Sequence, residues 1–242
     1  MKYNIPGGIL IILPLQIGIN MNTKFSIFKR YRCDKNNQII IRTANGMRQL
    51  SKYNKISGLD ISITGTGNKI IVSEKTVFKG SKIIIEANNA VLEFNESPDI
   101  NNLSVFVRNG TGQRLKWGKD TTLTGGYIEL CETNASVTIG DDCMIGWHIS
   151  IVATDFHSVL DRKTGKILNL PGGVEIGNHC WLGHGVRLLK NAKIPNNTIV
   201  GAETIVTKKF TEEWTVLGGN PACIVKRDVT WDRRLPTNLA ES

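Results

Sequence analysis

Acidic side chains are almost missing from the front of this chain. Over the segment 1–55, Asp34 stands alone against ten Lys and Arg. That segment therefore carries the whole formal charge of the protein, +9, and the remainder is neutral. A front end of one sign attracts polyanions such as nucleic acid, anionic lipid or acidic polysaccharide, or it serves as a solubilising surface. Cysteines are few and odd in number: Cys33, Cys131, Cys143, Cys180 and Cys223, with no C-x-x-C spacing. Neither a disulfide framework nor a zinc-ribbon site is indicated, and a reducing compartment is the default. No P-loop or G-x-G-x-x-G occurs. A long unbroken apolar run is also lacking. The stretch 5–19 is apolar but interrupted by Pro6, Gly7, Gly8, Pro14 and Gly18, and it is too short for an ordinary transmembrane helix. No A-x-A-like cleavage site follows it. Two readings of it stay open, a membrane-surface anchor or a β segment covering one end of the fold. The cytoplasm is the expected compartment.

What is present is glycine, at 24 residues, with many Ile and Val, which suggests a β-rich chain with many tight turns. From Val137 the chain falls into hexads: VTIGDD, CMIGWH, ISIVAT. They resume at Val174 with VEIGNH, CWLGHG, VRLLKN, AKIPNN, TIVGAE and TIVTKK. The third position is always a branched aliphatic: Ile139, Ile145, Ile151, Ile176, Leu182, Leu188, Ile194, Val200, Val206. The first position is small or β-branched. A period of six fits neither an amphipathic helix nor a simple hairpin sheet. It fits a coil with three flat faces, each hexad a short strand followed by a turn, with large aliphatics stacked inward. Cys143 and Cys180 fall in the small inward slots, where structural filler is the expected role.

Residues 155–173 interrupt the repeat with polar, turn-forming sequence and read as a loop leaving the coil, a place where function tends to sit. Residues 60–136 hold short β-like runs (KIIV, SKIIIE, AVLEF, LSVFV, YIEL) and read as degenerate coils of the same helix. The expected organisation is a basic cap or arm over 1–59, a parallel β-helix over 60–221 with the extruded loop 155–173, and a short C-terminal tail over 222–242.

The hexads, the histidine-bearing loop IVATDFHSV, the segment CWLG and the segment GNPA at 219–222 together resemble the hexapeptide-repeat acyltransferases, in particular sugar and capsular polysaccharide O-acetyltransferases of the polysialic acid type. The resemblance covers 137–227 clearly, 60–136 weakly and 1–59 not at all. It implies an all-β fold, a left-handed parallel β-helix, the handedness coming from the resemblance alone. It implies acetyl transfer from acetyl-CoA to a sugar hydroxyl, with a capsular or surface polysaccharide, or its precursor, as the expected acceptor class. His157 matches the general base, and neutral imidazole can take a hydroxyl proton near pH 7. Trp181, pointing outward by strand alternation, matches a tryptophan that lines the site. The matching cofactor-binding positions are His184, Ala202, Thr207, Lys208 and Lys226, with Lys209 and Arg227 adjoining them. Asp155 or a backbone carbonyl is expected to orient the imidazole. His148 and His179, at hexad corners, are expected to be solvent-exposed. The resemblance implies a homotrimer that takes acetyl-CoA as cosubstrate with no bound cofactor. The chemistry needs no metal, four scattered histidines without ligand spacing do not imply one, and no nucleic-acid partner is expected. Peripheral association with the inner membrane face stays open. An amino-sugar N-acetyltransferase and a non-catalytic β-helix binding module are the alternatives.

Overall fold

The computed structural model describes residues 36–51 and 55–240. The stretch 5–19, Cys33 and most of the basic front end lie outside them. Among the described residues the chain winds into a parallel β-helix with three faces. Face 1 runs from Gly46–Gln49, which lies antiparallel on Gln38–Thr43, down to Lys193–Ile194. Face 2 runs from Phe78–Lys79 to Thr215–Gly218 and Cys223–Arg227. Face 3 runs from Leu59–Thr64 to Ile205–Val206. The chain visits the faces in the order 1, 2, 3, so three vertices separate them.

The runs expected to be strands above the hexads are strands, and their period-2 alternation buries every second residue, as in Ser81–Asn88 and Lys69–Ser73. These upper coils are wide. Lys69 pairs with Val91, and Val91 with Arg114, so each turn takes more chain than three hexads supply. The extra girth holds aromatic side chains: Phe94 stacks on Trp117 at 6.1 Å and meets Phe78 edge-on at 5.4 Å. The hexad coils are narrow. Glu175 pairs with Lys193 and Trp181 with Ile199, so three hexads close one turn. Their inward columns are Ile, Leu and Val, with Cys143, Cys180, Ala192, Thr198 and Thr204 filling the small slots, all buried. Each fully buried aliphatic contributes about 1.5–3 kcal/mol, so the columns hold the prism together. The neighbouring Cys143 thiol and burial both push the pKa of Cys180 up, which keeps it an inert thiol.

The vertices need backbone that turns sharply. Asn134, Asp142, His148, His179, Asn191, Asn197 and Glu203 all sit in the left-handed region, with φ between 52° and 67°. At the vertex between faces 1 and 2 the side chains form a ladder. The Asp141 carboxylate accepts from Lys119 N at 2.6 Å, Asn178 Oδ1 from Asp141 N at 2.8 Å, and Asn196 Oδ1 from Asn178 N at 2.8 Å. Successive coils approach so closely here that a Cβ on Gly177 would lie 2.5 Å from Asn196 N.

Two boundaries differ from those expected. The helix starts before residue 60, because Gln38–Thr43 already pairs in parallel with Lys69–Ser73 and buries Ile39 and Ile41. The tail is partly strand: Cys223–Arg227 turns back antiparallel on Thr215–Gly218 and covers what would be an open sheet edge. Among the described residues no helix is long and apolar enough to cross a membrane.

Candidate active site

The insertion after Ile149–Val152 leaves the coil at the vertex between faces 3 and 1 and returns at Gly173–Ile176. Ser136 pairs with Gly173 and Ile139 with Ile176, third position on third position. The segment 155–173 is thus carried on a three-hexad coil without changing its register. The insertion is a hairpin arm. Leu160 bridges Ile167, Leu168 N donates to Val159 O at 2.8 Å, and the Asp161 carboxylate fastens the tip by accepting from Lys163 N at 3.0 Å and Thr164 N at 2.7 Å. The arm is less polar in effect than its sequence suggested: Phe156, Val159, Leu160, Ile167, Leu168 and Leu170 are all exposed.

His157 stands exposed at the neck of this arm. Its N–H donates to Asp155 O at 2.6 Å and its carbonyl accepts from Asn169 Nδ2 at 2.8 Å. Asp155 or a backbone carbonyl was expected to orient the imidazole, and among the described residues no hydrogen bond joins the Asp155 carboxylate to the His157 ring. Its Oδ2 instead pairs with the Lys190 ammonium and accepts from Asn169 Nδ2 at 2.9 Å. The hydrogen bond from Lys190 leads in holding its pKa below the ordinary carboxylate range, against a smaller upward push from desolvation. Lys190 and Asn169 were missed in the sequence, where they look like an ordinary vertex lysine and a loop asparagine.

The other histidines are engaged elsewhere. His179 is half-buried and not openly exposed as expected, because Trp231 from the tail stacks on it at 4.5 Å and donates its indole N–H to His179 O at 3.0 Å. Its Nδ1 lies 2.7 Å from Asp142 Oδ2. His148 is exposed at the vertex between faces 2 and 3, its ring 5.1 Å from that of His184. His184 Nδ1 lies 3.0 Å from Glu203 Oε1.

Trp181 points outward from face 2, 39% exposed, with Trp231 at 6.4 Å beside it. Face 2 is opposite the vertex that carries the arm, so one chain does not bring Trp181 to His157. The expected cofactor contacts are likewise divided. His184 and Ala202 share the vertex between faces 2 and 3, joined by Glu203 N donating to His184 O at 2.8 Å. The segment 219–222 ends that vertex, with Ile205 N donating to Gly219 O at 3.1 Å. Thr207, Lys208 and Lys209 lie below the arm at the vertex between faces 3 and 1, with the Lys208 ammonium 5.3 Å from the centre of the Phe210 ring. Lys226 is on the terminal strand of face 2, and neighbouring Arg227 is tied to Glu212 at 2.7 Å. The site's chemistry on one chain is thus an exposed imidazole with a fixed main chain, on the same vertex as exposed ammonium groups suited to phosphates.

No family model matches the chain. It is 30% identical over 191 residues to a polysialic acid O-acetyltransferase of Neisseria meningitidis, covering 79% of this chain and 87% of that protein. It is 31% identical over 122 residues to a polysialic acid O-acetyltransferase of Escherichia coli, covering 50% of this chain and 39% of that one. Among solved structures, that of the polysialic acid O-acetyltransferase OatWY superposes with a TM-score of 0.64 at 28% identity, over 82% of this chain and 91% of that one.

Proposed function

The chain belongs to the polysialic acid O-acetyltransferase family, and from that premise we propose that it moves an acetyl group from acetyl-CoA to a hydroxyl of an anionic capsular polysaccharide. It is an acyltransferase, and its coil is the left-handed parallel β-helix of these enzymes. The observation that carries the reading is His157: exposed, at the neck of an arm that interrupts the coil, with its backbone fixed on both sides.

In the proposed reaction the acceptor hydroxyl gives its proton to the His157 imidazole while its oxygen bonds to the acetyl carbonyl carbon. The carbonyl oxygen becomes an oxyanion, held by the Trp181 indole N–H or a backbone N–H. The C–S bond then breaks, the ester is left on the sugar, and the thiolate takes up the proton from imidazolium. His184, Ala202, Thr207, Lys208 and Lys226 would line the path of the pantetheine and phosphates.

Because His157 and Trp181 stand on opposite sides of one prism, a site that uses both takes one from each of two copies. The exposed apolar side chains of the arm give copies a reason to associate, since burying that surface is favourable by about 25 cal/mol per Å². We read the assembly as a homotrimer, in which a head-to-tail interface closes on itself. The basic segment 1–55 would draw the polyanion, or the inner membrane face where polymer is made, and its effect would fade with salt. The test is to incubate the protein with acetyl-CoA and a panel of acidic capsular oligosaccharides, following thiol release and product mass. Acetyl-ester products on an acidic sugar are expected. Thiol release that no sugar stimulates would sink the reading.

A further inference from the structure

A nearly buried ammonium demands an explanation, because an unpaired charge taken out of water costs several kcal/mol. Lys190 is such a group, with its side chain 6% exposed. It belongs to the rigid coil: nearby Leu188 is fully buried, and Asn191 N donates to Gly173 O at 2.8 Å. Its ammonium meets both sides of the neck of the arm at once. On the outgoing side it pairs with the Asp155 carboxylate. On the returning side it donates to Asn169 O at 2.9 Å.

Asn169 then ties the two sides to each other. Its Nδ2 donates to Asp155 Oδ2 at 2.9 Å and to His157 O at 2.8 Å, and its Oδ1 accepts from Val159 N at 2.7 Å. One asparagine therefore fixes the chain on both sides of Phe156–His157–Ser158, and one lysine anchors that asparagine to the coil. Phe156 inside this loop adopts φ of 60°, a left-handed conformation that the surrounding bonds must maintain.

We propose that Lys190 and Asn169 are positioning residues for acetyl transfer, locking the neck of the arm so that His157 is presented to the acceptor hydroxyl in one place. The proposal rests on the reading of His157 as the base. Its energetic logic is that a base displaced by about 1 Å can lose about 10²-fold in rate. Neither side chain has to touch substrate for this.

The experiment compares Lys190→Met, Asn169→Ala and His157→Ala with the native protein, reading kcat, KM for acetyl-CoA, and the rate of tryptic cleavage at Arg162, Lys163 and Lys166 in the arm. Lys190→Met and Asn169→Ala should each lower kcat by about 10–10²-fold, leave KM for acetyl-CoA within about two-fold, and speed cleavage of the arm. Asn169→Ala lies outside the coil and keeps the test decisive if Lys190→Met does not fold. Faster cleavage with kcat preserved overturns the positioning role. A raised KM with kcat preserved also overturns it, and makes Lys190 a donor-binding group instead. Native turnover in His157→Ala overturns the base assignment beneath the proposal, and the cleavage data still report separately whether the clamp holds the arm.

Discussion

The upper and lower halves of the prism close their turns differently. In the upper half Asn68 Oδ1 accepts from Ala90 N, one turn and 22 residues on. In the hexad half Asn196 Oδ1 accepts from Asn178 N across one turn of 18 residues. The wide half closes around aromatic rings, with Trp117 and Phe94 stacked at its centre, and the narrow half closes around small side chains such as Cys180 and Ala192. Every candidate site residue lies in or on the narrow half. The difference teaches that a strict period serves the site. A turn of three hexads puts equivalent positions of successive coils directly above one another, so an arm can leave and return with the register unbroken. The wide half has no such constraint and tolerates register shifts, as between Glu86 and Asn88.

The largest expected effect comes from removing the arm altogether. Excising 155–173 joins Thr154 to Val174, so that ISIVAT runs directly into VEIGNH. Turnover should vanish while the far-UV circular dichroism spectrum stays that of the intact β-helix; a collapsed spectrum would show that the narrow half needs its insertion. Next in size is the contrast between the two cores. Trp117→Ala should cost about 3–5 kcal/mol of stability, because its wide coil has nothing else to fill the void. Cys180→Ala should cost clearly less by the same urea titration. Smaller again is Gly177→Ala, at about 1–3 kcal/mol, since the new Cβ presses on the Asn196 backbone of the next coil. A neutral result there would mean that narrow coils are not close-packed at the vertex.

The smallest effect is one of pH. The Asp155 carboxyl titrates below its ordinary value, so its pairing with Lys190 is fully present above the unfolded value of about 3.9 and is lost as pH falls through the folded one. Trypsin is unsuited to that range, so hydrogen exchange of the arm amides is the measurement: protection should hold at about pH 5 and weaken only in more acid solution. Weakening already near pH 6 would point to a different group.

The hexads made the narrow half legible because each position has one physical demand, large inward or small inward, repeated nine times in view. The Ile-rich runs above them were legible as strands through alternation, but not where the helix begins, since QIIIRT looks no different in a cap than in a first coil. His157 was singled out by resemblance. Its setting was not. Lys190 reaches Asn169 across 21 residues and Trp231 reaches His179 across 52, contacts that exist only once coils are stacked. The apolar arm escaped notice because its exposed residues follow no period.

If His157 and Trp181 act in one site built from two copies, neither residue needs to be intact on the same chain as the other. The direct measurement is to co-express His157→Ala and Trp181→Ala variants, each bearing a different affinity tag, and to assay the doubly tagged assemblies. A ring of three that holds both kinds of chain has one head-to-tail interface where an intact His157 faces an intact Trp181. Each variant alone should be nearly inactive, and the doubly tagged assemblies should regain roughly a third of the native activity. Mixed assemblies no more active than either variant would contradict the shared site.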